Sequence, residues 1–194
     1  GSTNEVGVFE MKEQGLKAVS NPSSLFLSQR VTRQPGNAVT CTVEGSRAMM
    51  LEVQALTAKA QFNYPKRAAT GFDLNRVQLL SAVLQKRLRL NLFEQDIFIS
   101  VAGGFRVTET ACDLAAALSV ISSFKDTPLP DDLVIIGEVG LSGEIRPVGM
   151  VDKRIKEAAR LGFKRILLPA GNKALDAKIK LLPVSDLQQA VSVF

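Results

Sequence analysis

The sequence predicts a mixed α/β (α+β) sandwich in which several helices pack against one sheet. Apolar residues alternate along short runs and elsewhere recur at helical spacing, and these segments follow one another in the order β-β-α-β-α-β-β-α-β-α. A length of 194 residues with 46% apolar residues suits a single well-cored domain. No run of 18 apolar residues occurs, so we predict no membrane partner.

The N-terminal part shows the fewest periodic apolar segments. We interpret residues 1–37 as a linker or edge segment before a compact domain at 38–194. This segment holds one short apolar strand, Val6–Met11, and turn signals at Asn21–Ser24 and Gln34–Gly36. Its start has no basic region followed by an apolar one, so no signal peptide is predicted. The first two residues fit either an expression tag or native sequence.

The compact domain begins with a predicted hairpin and a long helix. Ala38–Val43 and Ala48–Thr57 are rich in Val, Thr, Met and Leu on either side of a Glu-Gly-Ser turn. Asp73 is the predicted N-cap of a helix that reaches Arg89. The apolar stripe of this helix is formed by Leu74, Val77, Leu80, Val83, Leu84 and Leu88. A buried strand, Ile97–Ala102, follows and ends in a predicted tight bend at Gly103-Gly104.

A second helix is predicted to start at Thr110, with Asp113 three residues later in the manner of a capping box. Its predicted packed face consists of Leu114, Leu118, Ile121 and Phe124. Strands Leu133–Gly137 and Glu144–Val148 follow. The chain then predicts a third helix at Val151–Leu161 with Gly162 as its stop, a strand at Arg165–Leu168 ended by Pro169, and a helical turn or two at the C-terminus.

Charge is arranged in blocks along the chain. Residues 59–93 carry seven bases and one acid, residues 94–145 carry two bases and nine acids, and residues 146–180 carry ten bases and three acids. The blocks fit either separate solvated surfaces or an anion-binding face for nucleic acid. Both interpretations stay open on composition alone.

Several kinds of chemistry are excluded by residues that the sequence lacks. Without histidine there is no Ser-His-Asp triad, no Cys-His pair and no His-ligated zinc. No Walker A or G-x-G-x-x-G motif occurs, and we predict no cofactor for this chain. Cys41 and Cys112 lie far apart and predict two buried thiols in a reducing compartment. A Ser-Lys dyad needs no histidine and is not excluded by this argument.

The stretch "VIIGEVGLSGEIRPVGMVDKRIKEAARLGFKRILLP" resembles the proteolytic domain of the Lon family, and "TETACDLAAALSVISS" resembles the helix that holds its nucleophilic serine. The resemblance covers most of residues 38–194 and implies a Lon proteolytic-domain-like, ribosomal protein S5 domain 2-like fold. Carried over by position, the serine falls at Ala111 and the lysine at Asp152. Cys112 and Lys153 each follow one of these positions by one residue. On a helix, that step turns the side chain by about 100°, away from the position of the catalytic group. We therefore predict that the chain is not a peptidase and has no catalytic residues.

The residues that differ from the Lon family's motif are similar to those of a second family. "ETACDLAAAL", "PLPDDLVIIGEVGLSGEIRPV", "YPKRAATGFDLNRVQLLSAVL" and the N-terminal "GSTNEVGVFEM" resemble the C-terminal Lon-like part of the RadA (Sms) family of DNA repair and recombination proteins. That resemblance implies a DNA-binding and oligomerising domain of a homo-hexameric ring that moves branched DNA. It also implies that ATP, Mg²⁺ and zinc are bound only by N-terminal parts outside this chain. The expected location is the bacterial cytoplasm near the nucleoid, with a eukaryotic organelle as an alternative.

The predicted DNA contacts are basic residues from the two basic blocks. We expect Lys156 beside the main set, which comprises Lys66, Arg67, Arg76, Lys86, Arg87, Arg89, Arg146, Lys153 and Arg154. The cluster Lys86–Arg89 fits equally a contact with the acidic block of a neighbouring subunit. Two further alternatives stay open: a Lon-like peptidase or polypeptide-binding domain, and the similar domain of magnesium-chelatase-related ATPases, which fits the N-terminal segment less well.

Overall fold

The structure, a computed structural model, describes residues 5–61, 64–173 and 177–194. The first four residues of the predicted N-terminal segment therefore lie outside the described residues. Strands β1 (Phe9–Lys12) and β2 (Gly15–Ala18) form an antiparallel hairpin. The strand predicted at Val6–Met11 thus starts later and has a partner that we did not predict.

The turn predicted at Asn21–Ser24 is instead the start of a short helix, α1 (Pro22–Leu27). The Asn21 side chain accepts a hydrogen bond from the backbone N–H of Ser24 at 3.2 Å, so it caps the helix. Proline fits the first turn, where its missing N–H has no partner to lose. Ser23 fixes α1 to the sheet, since its Oγ accepts from the Met50 N–H at 2.9 Å.

A seven-stranded mixed sheet is the centre of the molecule. Its strands, in chain order, are β3 (Asn37–Glu44), β4 (Arg47–Lys59), β5 (Arg67–Thr70), β6 (Gln95–Val101), β7 (Leu133–Ile135), β10 (Arg165–Pro169) and β11 (Lys180–Val184). Their order across the sheet is β11-β10-β7-β3-β4-β6-β5. Strand β4 pairs antiparallel with both β3 and β6, and the other neighbours are parallel. This confirms the predicted mixed α/β class.

Each face of the sheet is covered by different helices. Leu133 and Ile135 point into a core shared with α2 (Leu74–Leu88) and α3 (Asp113–Lys125). The alternate residues Val134 and Ile136 point into a second core under α4 (Val151–Arg160). Alternation along the strands thus sends α2 and α3 to one side and α4 to the other.

Helix α2 confirms the predicted cap and bounds, but Leu74, predicted for its packed stripe, is 42% exposed. Asp73 accepts the Arg76 N–H at 2.9 Å as N-cap, and Arg89 ends the helix in the left-handed region at φ 55°. Helix α4 likewise begins at Val151 as predicted, and Gly162 follows it at φ +85°. The bend predicted at Gly103-Gly104 is also present, as a 3₁₀ turn over Ala102–Gly104.

Helix α3 differs from its prediction at the start and around its circumference. Thr110 is not an N-cap, because Thr110–Cys112 form a 3₁₀ turn and the Thr110 hydroxyl donates to Glu138 Oε2 at 2.8 Å. Residues 113–122 are all buried, so every side of the helix is packed over these residues, and not one stripe. The alanine run lets α3 lie close to both the sheet and α2.

The C-terminal part contains elements that we did not predict. Strands β8 (Glu138–Val139) and β9 (Ile145–Arg146) form a separate small hairpin, so β7 is shorter than predicted. Strand β11 was missed, and the tail ends in α5 (Leu187–Ala190) with a 3₁₀ turn. Within the described ranges, no helix has the length and apolarity needed to cross a membrane.

Candidate nucleic-acid interface and the degenerate catalytic positions

A buried methyl group occupies the position to which the resemblance to the Lon family would assign the nucleophilic serine. Ala111 is 4% exposed, and its backbone C=O accepts the Gly137 N–H at 2.8 Å. The neighbouring Cys112 is fully buried, and burial raises the pKa of its thiol to about 12. A thiol with that pKa stays protonated near neutral pH, so it has little nucleophilic thiolate.

The position to which the same resemblance would assign the lysine lies in the first turn of α4. Asp152 is half-buried there and is an acid, which cannot take the role of a neutral amine base. Its neighbour Lys153 is exposed and points to the β3–β4 turn, where its Nζ donates to the Ser46 C=O at 3.1 Å. Lys153 thus lies on the outer surface of α4.

Arg154 is not on a surface, which corrects its assignment as a DNA contact. Its side chain is 2% exposed and forms a two-pronged ion pair with Glu109, at 2.7 and 2.8 Å. The Arg154 Nε also donates to the Gly149 C=O at 2.9 Å. Burial by itself raises the pKa of Glu109, but the bonds from Arg154 and from the Val43 N–H outweigh it, and the pKa is lowered.

Arg76 is engaged in a second ion pair close by. It donates through two nitrogens to Asp113, with Nε at 3.2 Å from Oδ1 and a shorter contact from the terminal nitrogen to Oδ2. The Val139 N–H also donates to Asp113 at 3.3 Å. Burial of Asp113 nevertheless raises its pKa to about 6, against the lowering effect of Arg76. Most of the Arg76 guanidinium is therefore committed to the fold.

A cavity of about 330 Å³ lies beside these two pairs. It is lined by Phe72, Asp73, Arg76, Arg106, Val107, Thr108, Glu109, Thr110 and Asp113. Both carboxylates of the two pairs accept hydrogen bonds from arginine, which leaves neither as an obvious general base. In the part of the chain that the structure describes, no group of three Cys, Asp or Glu residues is placed to hold a metal ion.

Six of the predicted DNA-binding residues lie around the C-terminal end of α2 and the β8–β9 hairpin. Lys86, Arg87 and Arg89 are exposed at the helix end. Two more, Lys66 and Arg67, adjoin this end through the loop after α2, where Arg67 donates to the Leu92 C=O at 3.0 Å. The Arg87 Nε donates to the Leu141 C=O at 3.2 Å, and Arg146 stands 3.8 Å from both Glu138 and Glu144. Arg146, one of these six basic residues, therefore has two acidic neighbours that partly offset its charge.

Lys153 belongs to a different surface, on the opposite face of the sheet. With Lys156 and Arg160 it forms an exposed stripe along α4. Across a groove of about 420 Å³ stands Arg47 of β4, and we call these four residues the α4 basic surface. Arg47 and Arg160 were missed by the sequence reasoning, although the i, i+3, i+7 spacing of 153, 156 and 160 was a usable signal.

Comparison with known proteins gives two kinds of similarity. The family model described as subunit ChlI of Mg-chelatase matches residues 57–172. DNA repair protein RadA of Bacillus subtilis (strain 168) is 51% identical over 172 residues, 89% of this chain and 38% of that protein. DNA repair protein RadA of Escherichia coli (strain K12) is 46% identical over 196 residues, 100% of this chain and 43% of that protein. The chain thus spans about two fifths of the length of these relatives.

Proposed function

We infer a role in DNA repair because this chain belongs to the RadA family. Its residues 57–172 also belong to the family described as subunit ChlI of Mg-chelatase. We propose that it is a non-proteolytic domain that binds DNA and takes part in a homo-hexameric ring. ATP hydrolysis, Mg²⁺ and zinc are assigned in this proposal to other parts of the longer protein.

The observation that carries DNA binding is the α4 basic surface. Lys153 and Lys156 are exposed, and the acid beside them, Glu157, is already engaged by Arg160 at 2.6 Å and by the Ser23 hydroxyl at 2.7 Å. Positions 153 and 160 are two helical turns, about 11 Å, apart. That length corresponds to about three base-pair rises along the axis of duplex DNA. The stripe therefore suits contact with a phosphate backbone.

Contacts of this type position DNA without reading its sequence. Lysine and arginine side chains that meet phosphates release condensed counterions, so the affinity depends steeply on salt. The residues at the α2 end, with Lys66, Arg67 and Arg146, remain a second proposed contact. Among them Arg67 and Arg87 already donate to backbone carbonyls, which leaves fewer donors for a ligand.

The absence of peptidase activity is proposed from the two degenerate positions. Ala111 has no nucleophilic atom, and the acid Asp152 stands where the Lon family has lysine. Casein or peptide digestion by the purified domain tests this point. Cleavage that disappears in the Cys112→Ala variant would overturn the proposal and assign the chemistry to that thiol.

We propose 38–194 as the folded unit, with α1 docked on it and the hairpin β1–β2 leading into it. The Lon-like fold name and the ring belong to the same proposal. Mass measurement in solution tests the ring: a species that stays monomeric at every concentration, alone and with DNA, argues against self-assembly by this domain.

The decisive experiment is duplex DNA binding over a salt series with the double variant Lys153→Gln/Lys156→Gln. If both lysines meet phosphates, the slope of log K against log salt becomes shallower by about 1.8. The matched control is Lys12→Gln/Lys17→Gln, which removes the same charge from the exposed β1–β2 hairpin. Equal changes of slope in the two double variants would indicate a general charge effect and would contradict the assignment of DNA binding to α4.

A further inference from the structure

A second groove runs along the other side of α4, between this helix and the residues that lead into β11. Its volume is about 620 Å³, and we call it the β11 groove. It is lined by Ile155, Lys156, Ala159, Arg160, Gly162, Phe163, Lys164, Ala177, Lys178, Ile179 and Lys180. Helix α4 separates it from the groove that faces Arg47, although both grooves use Lys156 and Arg160.

The β11 groove has an apolar floor and a cationic rim. Ile155 and Phe163 are buried beneath it at 4% and 9% exposure, and Ala159 and Ile179 are half-buried beside them. The rim carries exposed lysines, among them Lys164 and Lys178. No carboxylate occurs among the lining residues that the structure describes. The rim therefore attracts an anion, while the half-buried side chains of Ala159 and Ile179, above the buried Ile155 and Phe163, offer the apolar area that a ligand can cover.

This combination does not suit nucleic acid well. A phosphate backbone meets the rim but has no apolar group for the floor, and an unpaired base needs an open aromatic face to stack on. The single ring here belongs to Phe163, which is 9% exposed and has the Arg30 guanidinium 5.8 Å from its centroid. A nucleobase would therefore find little aromatic surface in this groove.

An acidic peptide satisfies both parts of the groove. A leucine or phenylalanine side chain fits the floor, and flanking carboxylates reach Lys164, Lys178 and Lys180 on the rim. We propose that the β11 groove docks an acidic peptide segment of a partner protein, anchored by one apolar side chain. This binding does not depend on DNA contact, although the two proposed sites share Lys156 and Arg160.

The test uses a fluorescein-labelled peptide of aspartates around a central Leu-Phe pair, with a duplex DNA probe measured in parallel. Ala159→Arg fills the floor from the helix side while it adds positive charge. We expect this variant to weaken peptide binding about tenfold or more and to leave DNA binding equal or slightly stronger. The matched control is Ala82→Arg, which makes the same substitution on an exposed position of α2 and leaves the groove open.

A second variant, Lys178→Gln/Lys180→Gln, keeps the proposal testable if Ala159→Arg does not fold. We expect it also to weaken binding of the peptide. Three results would overturn the proposal. The first is no peptide binding by the unmodified protein. The second is equal binding of a peptide in which Ser-Ser replaces Leu-Phe, which would mean charge alone. The third is a loss of DNA binding in Ala159→Arg, which would make the groove part of a nucleic-acid site. Loss of DNA binding in Lys153→Gln/Lys156→Gln bears on the proposed function and leaves this proposal untouched.

Discussion

The two arginine–carboxylate pairs beside the Thr110–Cys112 turn differ in which partner is buried. In one pair the cation is buried, since Arg154 is 2% exposed and Glu109 26%. In the other the anion is buried, since Asp113 is 1% exposed and Arg76 27%. An arginine cannot release its proton at ordinary pH, so the first pair must stay charged. A carboxylate can take up a proton, so the second pair can adjust.

The pKa shifts follow from this difference. The pKa of Glu109 is lowered, because the bonds from Arg154 and the Val43 N–H outweigh its own burial. The pKa of Asp113 is raised to about 6, because burial outweighs the bonds from Arg76. Two pairs with the same chemical groups thus respond differently to pH, and the partner that lies deeper decides which response occurs.

The largest expected effect comes from matched amide substitutions in the two pairs. Glu109→Gln leaves the buried Arg154 guanidinium without a counter-charge, and we expect the free energy of unfolding to fall by about 3–5 kcal/mol. Asp113→Asn removes a buried carboxylate whose raised pKa means that its ionisation opposes folding at pH 7, so we expect no loss there and a gain of up to about 3 kcal/mol. Urea unfolding at pH 7 measures both. Equal losses would show that burial of the cation is not what separates the pairs.

The next effect is the pH dependence of the Asp113 pair. A raised pKa means that the folded state holds the proton more tightly, so this stability is fully present below about pH 4 and is lost as pH rises through about 6. The difference in unfolding free energy between the unmodified protein and Asp113→Asn should fall by about 3 kcal/mol over that interval. A flat difference from pH 4 to pH 7 would contradict the raised pKa.

The smallest effect is expected for an exposed pair, which serves as the reference for the other two. Arg146 is 60% exposed and stands 3.8 Å from Glu138. Arg146→Met should change the free energy of unfolding by at most ~1 kcal/mol, and high salt should remove most of that change. A salt-independent loss as large as that of Glu109→Gln would show that exposure does not govern these pairs.

Local patterns in the sequence were sufficient for the long elements. Helix α2, helix α4 and the β3–β4 hairpin follow from spacing within each segment, so their bounds agree with the structure to within a few residues. Strands β5 and β11 are short and depend on pairing with distant strands, which local periodicity does not reveal. The small β8–β9 hairpin was not predicted as a separate pair of strands, for the same reason.

The site was predicted less completely, because its contacts join residues far apart in the chain. Thr110 has the residue type of an N-cap, but its hydroxyl partner is Glu138. Position 154 lies three residues after the buried Val151 and therefore on the inner stripe of α4, a signal that opposed a surface role. What makes an arginine tolerable there is Glu109, 45 residues away. No local pattern contains that information.

Over residues 113–122, helix α3 has no side that faces solvent, since all of these residues are buried. A substitution at any of these positions must fit a closed space, so folding alone eliminates most changes of size or polarity. Packing therefore restricts which residues this segment can hold, whether or not chemistry depends on it. The closed packing around Ala111 and the residues after it thus accounts for this segment without any chemical role.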